Sequence, residues 1–381
     1  MPDSRNWFRT TPEHLVRRFP ECLRLDAIRI EVKGRRLINF ASNDYLGLAF
    51  HPEVRRAARI HIDQHGLGSG ASRLISGDAP ELHELEAKLA DWKDYEAALV
   101  VGSGYLANTG LIDALTDRHS VIFCDRLNHA SLVDGARLSR GRVYRYAHGD
   151  MEQLADGLQR HGNKRKLIVS DGVFSMDGDC ASVSELACLA EEFDALVLID
   201  DAHGTGVLGP SGRGLLAEQS LAGHPRILEV GTLGKALGSY GAFILGSKEM
   251  IEGLKQRLRT LIYSTALPPC VAAGATSAIA LVQNGDLPGK LQANIQYFVQ
   301  KAARLDLPFR RSRTAIQPLV LGKEKAALAA AVSLRNAGFF VPAIRPPTVP
   351  EGTSRLRITL SAIHTKKQIN TLLHALREDL Q

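Results

Sequence analysis

Two carboxylates, an imidazole and a lysine have types and spacing that suggest chemistry. Asp200, Asp201 and His203 end the apolar run A-L-V-L-I-D-D-A-H (Ala195 to His203), and Lys235 lies in the glycine-rich V-G-T-L-G-K-A-L-G (Val230 to Gly238). An apolar run that stops abruptly at acids predicts a buried strand delivering polar side chains to its C-terminal edge. Lys235 follows a second, shorter apolar run, and it can condense with an aldehyde if its surroundings hold part of its amine deprotonated. Asp200 could bond a protonated ring nitrogen and His203 a neighbouring phenolic oxygen. Together they suit a cofactor with a basic ring nitrogen, a phenolate and an aldehyde.

Other residues belong to the same expected edge. Ala97 to Val101 is followed by Gly102-Ser103-Gly104-Tyr105-Leu106-Ala107, a strand, a G-x-G-x-x-A turn and a helix start, with Asp125 closing the next strand. That pattern passes for a dinucleotide fingerprint. The same physics binds any phosphate, because glycine admits the anion and a helix N-terminus offers amides and the positive end of its dipole. His129, in N-H-A-S after the Asp125 strand, could lie over a flat ring, and Ser175, in V-F-S-M-D-G, adds a hydroxyl. A nucleoside-triphosphate lysine is excluded at Lys235, since Glu229 and Ala236 stand where a Walker motif needs glycine and Ser or Thr.

The elements that must position these residues follow from the periodicity. Apolar runs at Ala97 to Val101, Val121 to Cys124, Leu167 to Val169, Leu196 to Ile199, Ile227 to Val230 and Ala242 to Leu245 alternate with helix-length segments. This predicts an α/β fold, a mostly parallel central sheet with helices on both faces, with functional residues beyond the strands' C-terminal ends. Before it, residues 1–40 are expected to form an arm, with a helix start at Pro12 to Arg18 and a hairpin over Ile28 to Ile38 turning at Lys33-Gly34. Helices are expected over Pro52 to Gln64 and Ala79 to Asp91. Residues 41–285 are expected to form the large domain and 286–381 a smaller α+β domain. In that last domain strands are expected near Ile316 to Leu321 and Arg355 to Leu360, with helices over Lys290 to Leu305, Glu324 to Ala337 and Lys366 to Arg377.

Composition narrows the function classes. With 381 residues, 45% hydrophobic and 23% charged, the chain can bury a large core. No apolar run approaches a membrane span and the N-terminus lacks signal-peptide order, so a cytoplasmic protein without a membrane partner is expected. Five cysteines without a C-x-x-C pair predict no metal site, and a net charge of +6 without aromatic-interleaved basic stretches predicts no nucleic-acid partner.

T-L-G-K-A-L-G-S-Y-G (Thr232 to Gly241) resembles the lysine signature of the class II pyridoxal-phosphate aminotransferase group. S-N-D-Y-L-G-L, S-G-Y-L-A-N, N-H-A-S, V-F-S-M-D-G and D-D-A-H-G-T-G-V-L-G resemble its α-oxoamine synthase branch, in order and nearly end to end. The segment Ala343 to Thr359 is similar to the biotin-pathway members of that branch. The resemblance implies a fold type I homodimer with pyridoxal 5'-phosphate in an active site shared between subunits. It implies condensation of L-alanine with a pimeloyl thioester carried on coenzyme A or acyl carrier protein; glycine with acetyl-CoA, giving 2-amino-3-oxobutyrate, is the alternative.

Carried over by motif, Lys235 matches the lysine that holds the cofactor, Asp200 the ring-nitrogen partner, His203 the partner of the phenolic oxygen and His129 the stacking histidine. Gly104, Tyr105 and Thr232 match phosphate contacts, and Thr265 would reach the phosphate of the other subunit. Asn43, Ser175 and Arg357 match positions near the amino-acid carboxylate. The alignment of L-V-R-R-F-P puts Val16 where the family member compared has an acyl-substrate arginine, so either Arg17 or Arg18 substitutes or the acyl end is held differently. A non-catalytic ligand sensor and a dinucleotide dehydrogenase are the rivals from other classes.

Overall fold

A computed structural model describes residues 16, 19–310 and 312–380. The expectations at Pro12 to Arg18, Arg17 included, lie outside the described residues, apart from Val16, which is exposed. Strands β1 (Cys22–Arg24), β2 (Arg29–Val32) and β3 (Arg35–Asn39) form an antiparallel meander. The β2–β3 hairpin turns at Lys33 and Gly34, both with positive φ, the backbone that a two-residue hairpin turn demands. Helices α1 (Pro52–His65) and α2 (Pro80–Lys93) each start on proline.

The central sheet contains β4 (Ala97–Val101), β5 (Val121–Asp125), β6 (Arg142–Tyr146), β7 (Lys166–Asp171), β8 (Ala195–Asp200), β9 (Ile227–Thr232) and β10 (Ala242–Gly246). Their order is β4-β10-β9-β8-β7-β5-β6, parallel except for β10, which runs antiparallel to both neighbours. Successive side chains leave a strand on opposite faces, so each apolar strand feeds two cores. One face sets Val101, Cys124, Val169, Leu198 and Ile244 against helices α3 (Gly104–Leu115) and α4 (Ala130–Leu138). The other sets Val100, Phe123, Ile168, Val197 and Phe243 against α2 and the helices Met151–Arg160, Val183–Glu192 and Pro269–Asn284. Edge strand β6 was not expected. Its R-V-Y-R-Y alternates charged with apolar residues and has no continuous apolar run, and most of it is solvent-accessible.

A smaller antiparallel sheet orders β11 (Ile316–Gly322), β14 (Ser354–Thr359) and β13 (Ala343–Ile344), backed by the helices Glu324–Asn336 and Lys366–Leu380. Strand β12 (Phe339–Phe340) pairs in parallel with β3, which joins the early hairpin to the C-terminal region. Among the described residues no helix is long and apolar enough to cross a membrane, and no cluster could hold a metal ion.

Candidate active site

Register brings the expected edge together. In the β7–β8 ladder Asp171 lies opposite Asp200, and in the β8–β9 ladder Asp200 lies opposite Val230, two residues before Thr232. Asp200 is buried; its Oδ2 accepts the Asn108 amide at 2.6 Å and its Oδ1 the Ala202 N–H at 3.0 Å. Asn108 also donates to Ser131 Oγ at 2.9 Å, while its own carbonyl oxygen is buried without a partner. His203 is buried three residues on, with Nδ1 2.7 Å from the Tyr45 hydroxyl. Burial holds its imidazole well below the ordinary value, and the positive charges of Lys235 and Arg357 add to that, so it is neutral.

Lys235 occupies the turn between β9 and β10. Thr232 Oγ1 pins that turn, donating to the Gly241 carbonyl at 3.0 Å and accepting the Gly234 N–H at 3.1 Å. Gly238 closes it at φ +63°, and a Cβ there would collide with the Ala49 amide nitrogen. The Lys235 side chain keeps some solvent access, yet dense surroundings push its amine down to about 8. Burial is the main cause; the carboxylates of Asp200 and Asp171 oppose it, and Arg357 reinforces it.

His129 caps α4, its Nδ1 2.8 Å from Ser131 Oγ and its backbone N–H on Asp171 Oδ2 at 2.6 Å. The ring is exposed, and the wall behind it still lowers its basicity: desolvation first, with Lys235 adding and Asp200 opposing. At the start of α3, Ser103 accepts the Leu106 N–H at 3.2 Å. Helix geometry leaves the Gly104 and Tyr105 amides without an intrahelical acceptor. A Cβ at Gly104 would meet nothing within 4 Å, so an anion has room to approach there. The Tyr105 hydroxyl itself turns to Asp134 at 2.7 Å.

Arg357, buried on β14, reaches across from the small sheet. Its Nε donates to the Ser175 carbonyl at 2.6 Å and its Nη1 to Asn43 Oδ1 at 3.3 Å. The Tyr45 hydroxyl, 2.7 Å from His203 Nδ1, is also 3.2 Å from Asn43 Oδ1. Thr265 stands apart: it is exposed, in a segment tied to the 69–71 stretch by Ala266 N–H on the Ala71 carbonyl and Ser69 Oγ on the Leu267 carbonyl. The dinucleotide-like Asp125 is already engaged, accepting the Leu127 and Gly149 N–H groups and pairing with His148, whose imidazole its two acidic partners push up to about 10. It does not present a carboxylate to a ribose.

Three participants had no assigned role in the sequence. Tyr45 and Asn108 lie inside the quoted motifs, and Asp171 only four residues before Ser175. Their partners are 158, 92 and 42 residues away, a distance that only strand register resolves.

The arrangement fits a flat, phosphorylated, aldehyde-bearing heterocycle. Asp200 offers a buried carboxylate for a ring N–H, and neutral His203 a hydrogen bond for a phenolic oxygen. Lys235 offers an amine near 8 for an aldehyde, and the α3 start offers room and free amides for a phosphate. The protein-family model for aminotransferases of class I and II matches residues 35–376. The chain is 48% identical over 355 residues to the 8-amino-7-oxononanoate synthase of Alkalilimnicola ehrlichii, covering 93% of this chain and 91% of the relative. It is 49% identical over 358 residues to that of Herminiimonas arsenicoxydans, covering 92% of each. Among solved structures, the Sphingomonas wittichii serine palmitoyltransferase superposes with a TM-score of 0.89 at 30% identity, over 94% of this chain and 90% of that one. An 8-amino-7-oxononanoate synthase from Francisella tularensis gives 0.79 at 29%, over 90% and 98%.

Proposed function

The chain belongs to the class I and II aminotransferase family, and on that premise we propose that it makes 8-amino-7-oxononanoate for biotin synthesis. The reaction condenses L-alanine with a pimeloyl thioester, releasing CO2 and free coenzyme A or acyl carrier protein, with pyridoxal 5'-phosphate as cofactor. The observation that carries this reading is the 48–49% identity to synthases of that name over more than nine-tenths of the chain. The sister condensation of glycine with acetyl-CoA is not favoured by those relatives. The fold is that of the pyridoxal-phosphate aminotransferases, with serine palmitoyltransferase, solved with the cofactor, superposing at a TM-score of 0.90 and 30% identity.

When bound, the cofactor supplies an electron sink for the pair left on the amino acid's Cα once its proton is removed. The protein's residues arrange the rest. Asp200 would meet the ring nitrogen, its side chain fixed by Asn108 and the Ala202 amide. The shorter of the two Tyr45 bonds, to His203 Nδ1, takes the hydroxyl proton, which leaves the imidazole proton on Nε2 as a donor to the phenolic oxygen. His129 would lie against the ring and shield it from water. Arg357 grips the amino-acid carboxylate, with Asn43 and Ser175 beside it, and so orients the Cα–H bond. Lys235, with its amine near 8, tethers the cofactor and then takes and returns the Cα proton.

A homodimer completes the proposal. Leu67, Leu74, Ile75 and Tyr263 are large apolar side chains left exposed on the adjoining 67–77 and 260–267 segments, the surface a second copy would cover. Thr265 lies in the same surface and would bond the phosphate of the partner subunit. Thr265→Ala should weaken cofactor retention in the dimer several-fold with no change in assembly. The three-part division into 1–40, 41–285 and 286–381 is proposed on the same footing: Lys235, Asp200 and His129 come from the second part and Arg357 from the third. The deciding experiment is product identification by mass spectrometry from L-alanine and a pimeloyl thioester, with and without pyridoxal phosphate. Amino ketone from glycine and acetyl-CoA alone would refute the reading.

A further inference from the structure

Strand β14 carries two arginines two residues apart, and therefore on one face about 7 Å from each other. The structure treats them differently. The Arg355 side chain is 4% exposed and ends on a carboxylate: Nη1 is 2.6 Å from Asp177 Oδ1 and 3.2 Å from the Met176 carbonyl, and Nε donates to the Thr353 carbonyl at 3.0 Å. Arg310, mostly exposed, adds a 3.1 Å contact to the same Asp177 oxygen. Arg357 meets neutral acceptors, the Ser175 carbonyl and the Asn43 amide oxygen. Among the described residues no carboxylate lies within ion-pair distance of it. The short stretch 175–177 thus gives Arg357 a backbone oxygen and Arg355 a charge.

We propose that Asp177 is a positioning and specificity residue: by neutralising Arg355 it leaves Arg357 as the one β14 arginine without a carboxylate partner among the described residues, so the site accepts amino acids with one carboxylate and rejects those with two. This deepens the proposed function and rests on its assignment of Arg357 to the substrate carboxylate. Two free guanidiniums side by side on β14 would hold a dicarboxylate, because each planar fork matches one carboxylate. With Arg355 removed instead, the Asp177 carboxylate keeps only an exposed partner, whose pull is weak. Arg357, two residues along the same strand, is then drawn to that carboxylate, and the positive charge that should bind the substrate is compensated within the protein.

The test is a cycle on the holoenzyme, read as binding of L-alanine and L-aspartate through the change in cofactor absorbance. Asp177→Asn should tighten L-aspartate about tenfold and leave L-alanine within about threefold of wild type. Arg355→Met should weaken L-alanine about tenfold. The double variant should recover alanine binding to within about threefold and lose the gain for aspartate, and Arg355→Lys should stay near wild type. Equal alanine affinities for Arg355→Met and the double variant would overturn the proposal, as would an unchanged alanine-to-aspartate preference in Asp177→Asn. Thermal stabilisation by malonate, stronger in Asp177→Asn than in wild type, reads the same effect without turnover. A wild-type protein that ignores L-alanine would instead overturn the proposed function, while the malonate comparison still decides on Asp177.

Discussion

Replacing Tyr45 by Phe removes one oxygen from a fully buried ring and leaves its packing alone. That oxygen is 2.7 Å from His203 Nδ1, and no other side-chain bond to His203 is present among the described residues. A buried acceptor left without a donor costs about 1–3 kcal/mol, so the melting temperature should fall by a few degrees. The larger effect is on the proton of a neutral ring. His203 is held well below its ordinary value by burial, so it answers the loss by sharing its proton between the two nitrogens rather than by charging. A net bond of about 1.4 kcal/mol corresponds to a tenfold bias in that ratio. Its loss should therefore lower the Nε2-protonated share from about nine-tenths to about half, so the variant should lose about twofold in kcat/KM, with a shifted pH titration of the bound cofactor's absorbance. KM for the amino acid should stay close to wild type, since the Tyr45 oxygen gives its proton to His203 and only approaches Asn43 at 3.2 Å. A variant that melts lower but keeps the wild-type titration and kcat/KM would show that Tyr45 only fills space, and the assignment of a donor to His203 Nε2 would fall.

Two other outcomes follow from buried charge. The Lys235 amine is pushed from its ordinary 10.5 down to about 8; only the uncharged form captures an aldehyde, so uptake of pyridoxal phosphate by the apoprotein should speed up about tenfold per pH unit below 8 and level off above. Stopped-flow absorbance measures this, and an inflection near 10.5 would contradict the packing around the amine. Lys93 is wholly buried in an ion pair with Glu229, 3.6 Å from Asp201 and 3.1 Å from Thr205 Oγ1, beneath the Asp200 turn. Lys93→Met strands two buried carboxylates and should cost about 3–5 kcal/mol in denaturant unfolding, with Lys93→Met/Glu229→Gln recovering part of it. A single variant as stable as wild type would mean that Lys93 is not what balances these acids.

The central sheet was legible because β4, β5, β7, β8 and β10 have unbroken apolar runs at their centres and β9 is interrupted only by Glu229, the pattern of strands buried on both faces. Lys235, Asp200 and His203 were legible for the same reason, since they stand where those runs stop. Strand β6 was not, because an edge strand faces water on one side and needs no apolar run. The direction of β10 was also hidden: Ala242 to Gly246 is as apolar as its parallel neighbours, and orientation leaves no mark on composition. Tyr45 and Asn108 were visible as residues but not as partners of His203 and Asp200, because a hydrogen bond spanning 158 or 92 positions has no sequence period. Asp125 misled in the opposite sense, since a strand-end acid after a glycine turn reads alike whether it meets a ribose or, as here, caps its own loop.

The 3.3 Å bond between Arg357 and Asn43 joins residues 314 apart, and β12 seals the early hairpin at Phe339 and Phe340. This sets an order during synthesis. Once β10 has left the ribosome, the chain holds Asp200, His203 and Lys235 in the strands that place them. Arg357, proposed to grip the substrate carboxylate, waits for β14, more than a hundred residues later. A growing chain can therefore acquire the place for its cofactor well before it can engage an amino acid. Ribosome-bound chains truncated after β10 and after β14, each far enough on for the strand to have emerged, should differ in that one respect.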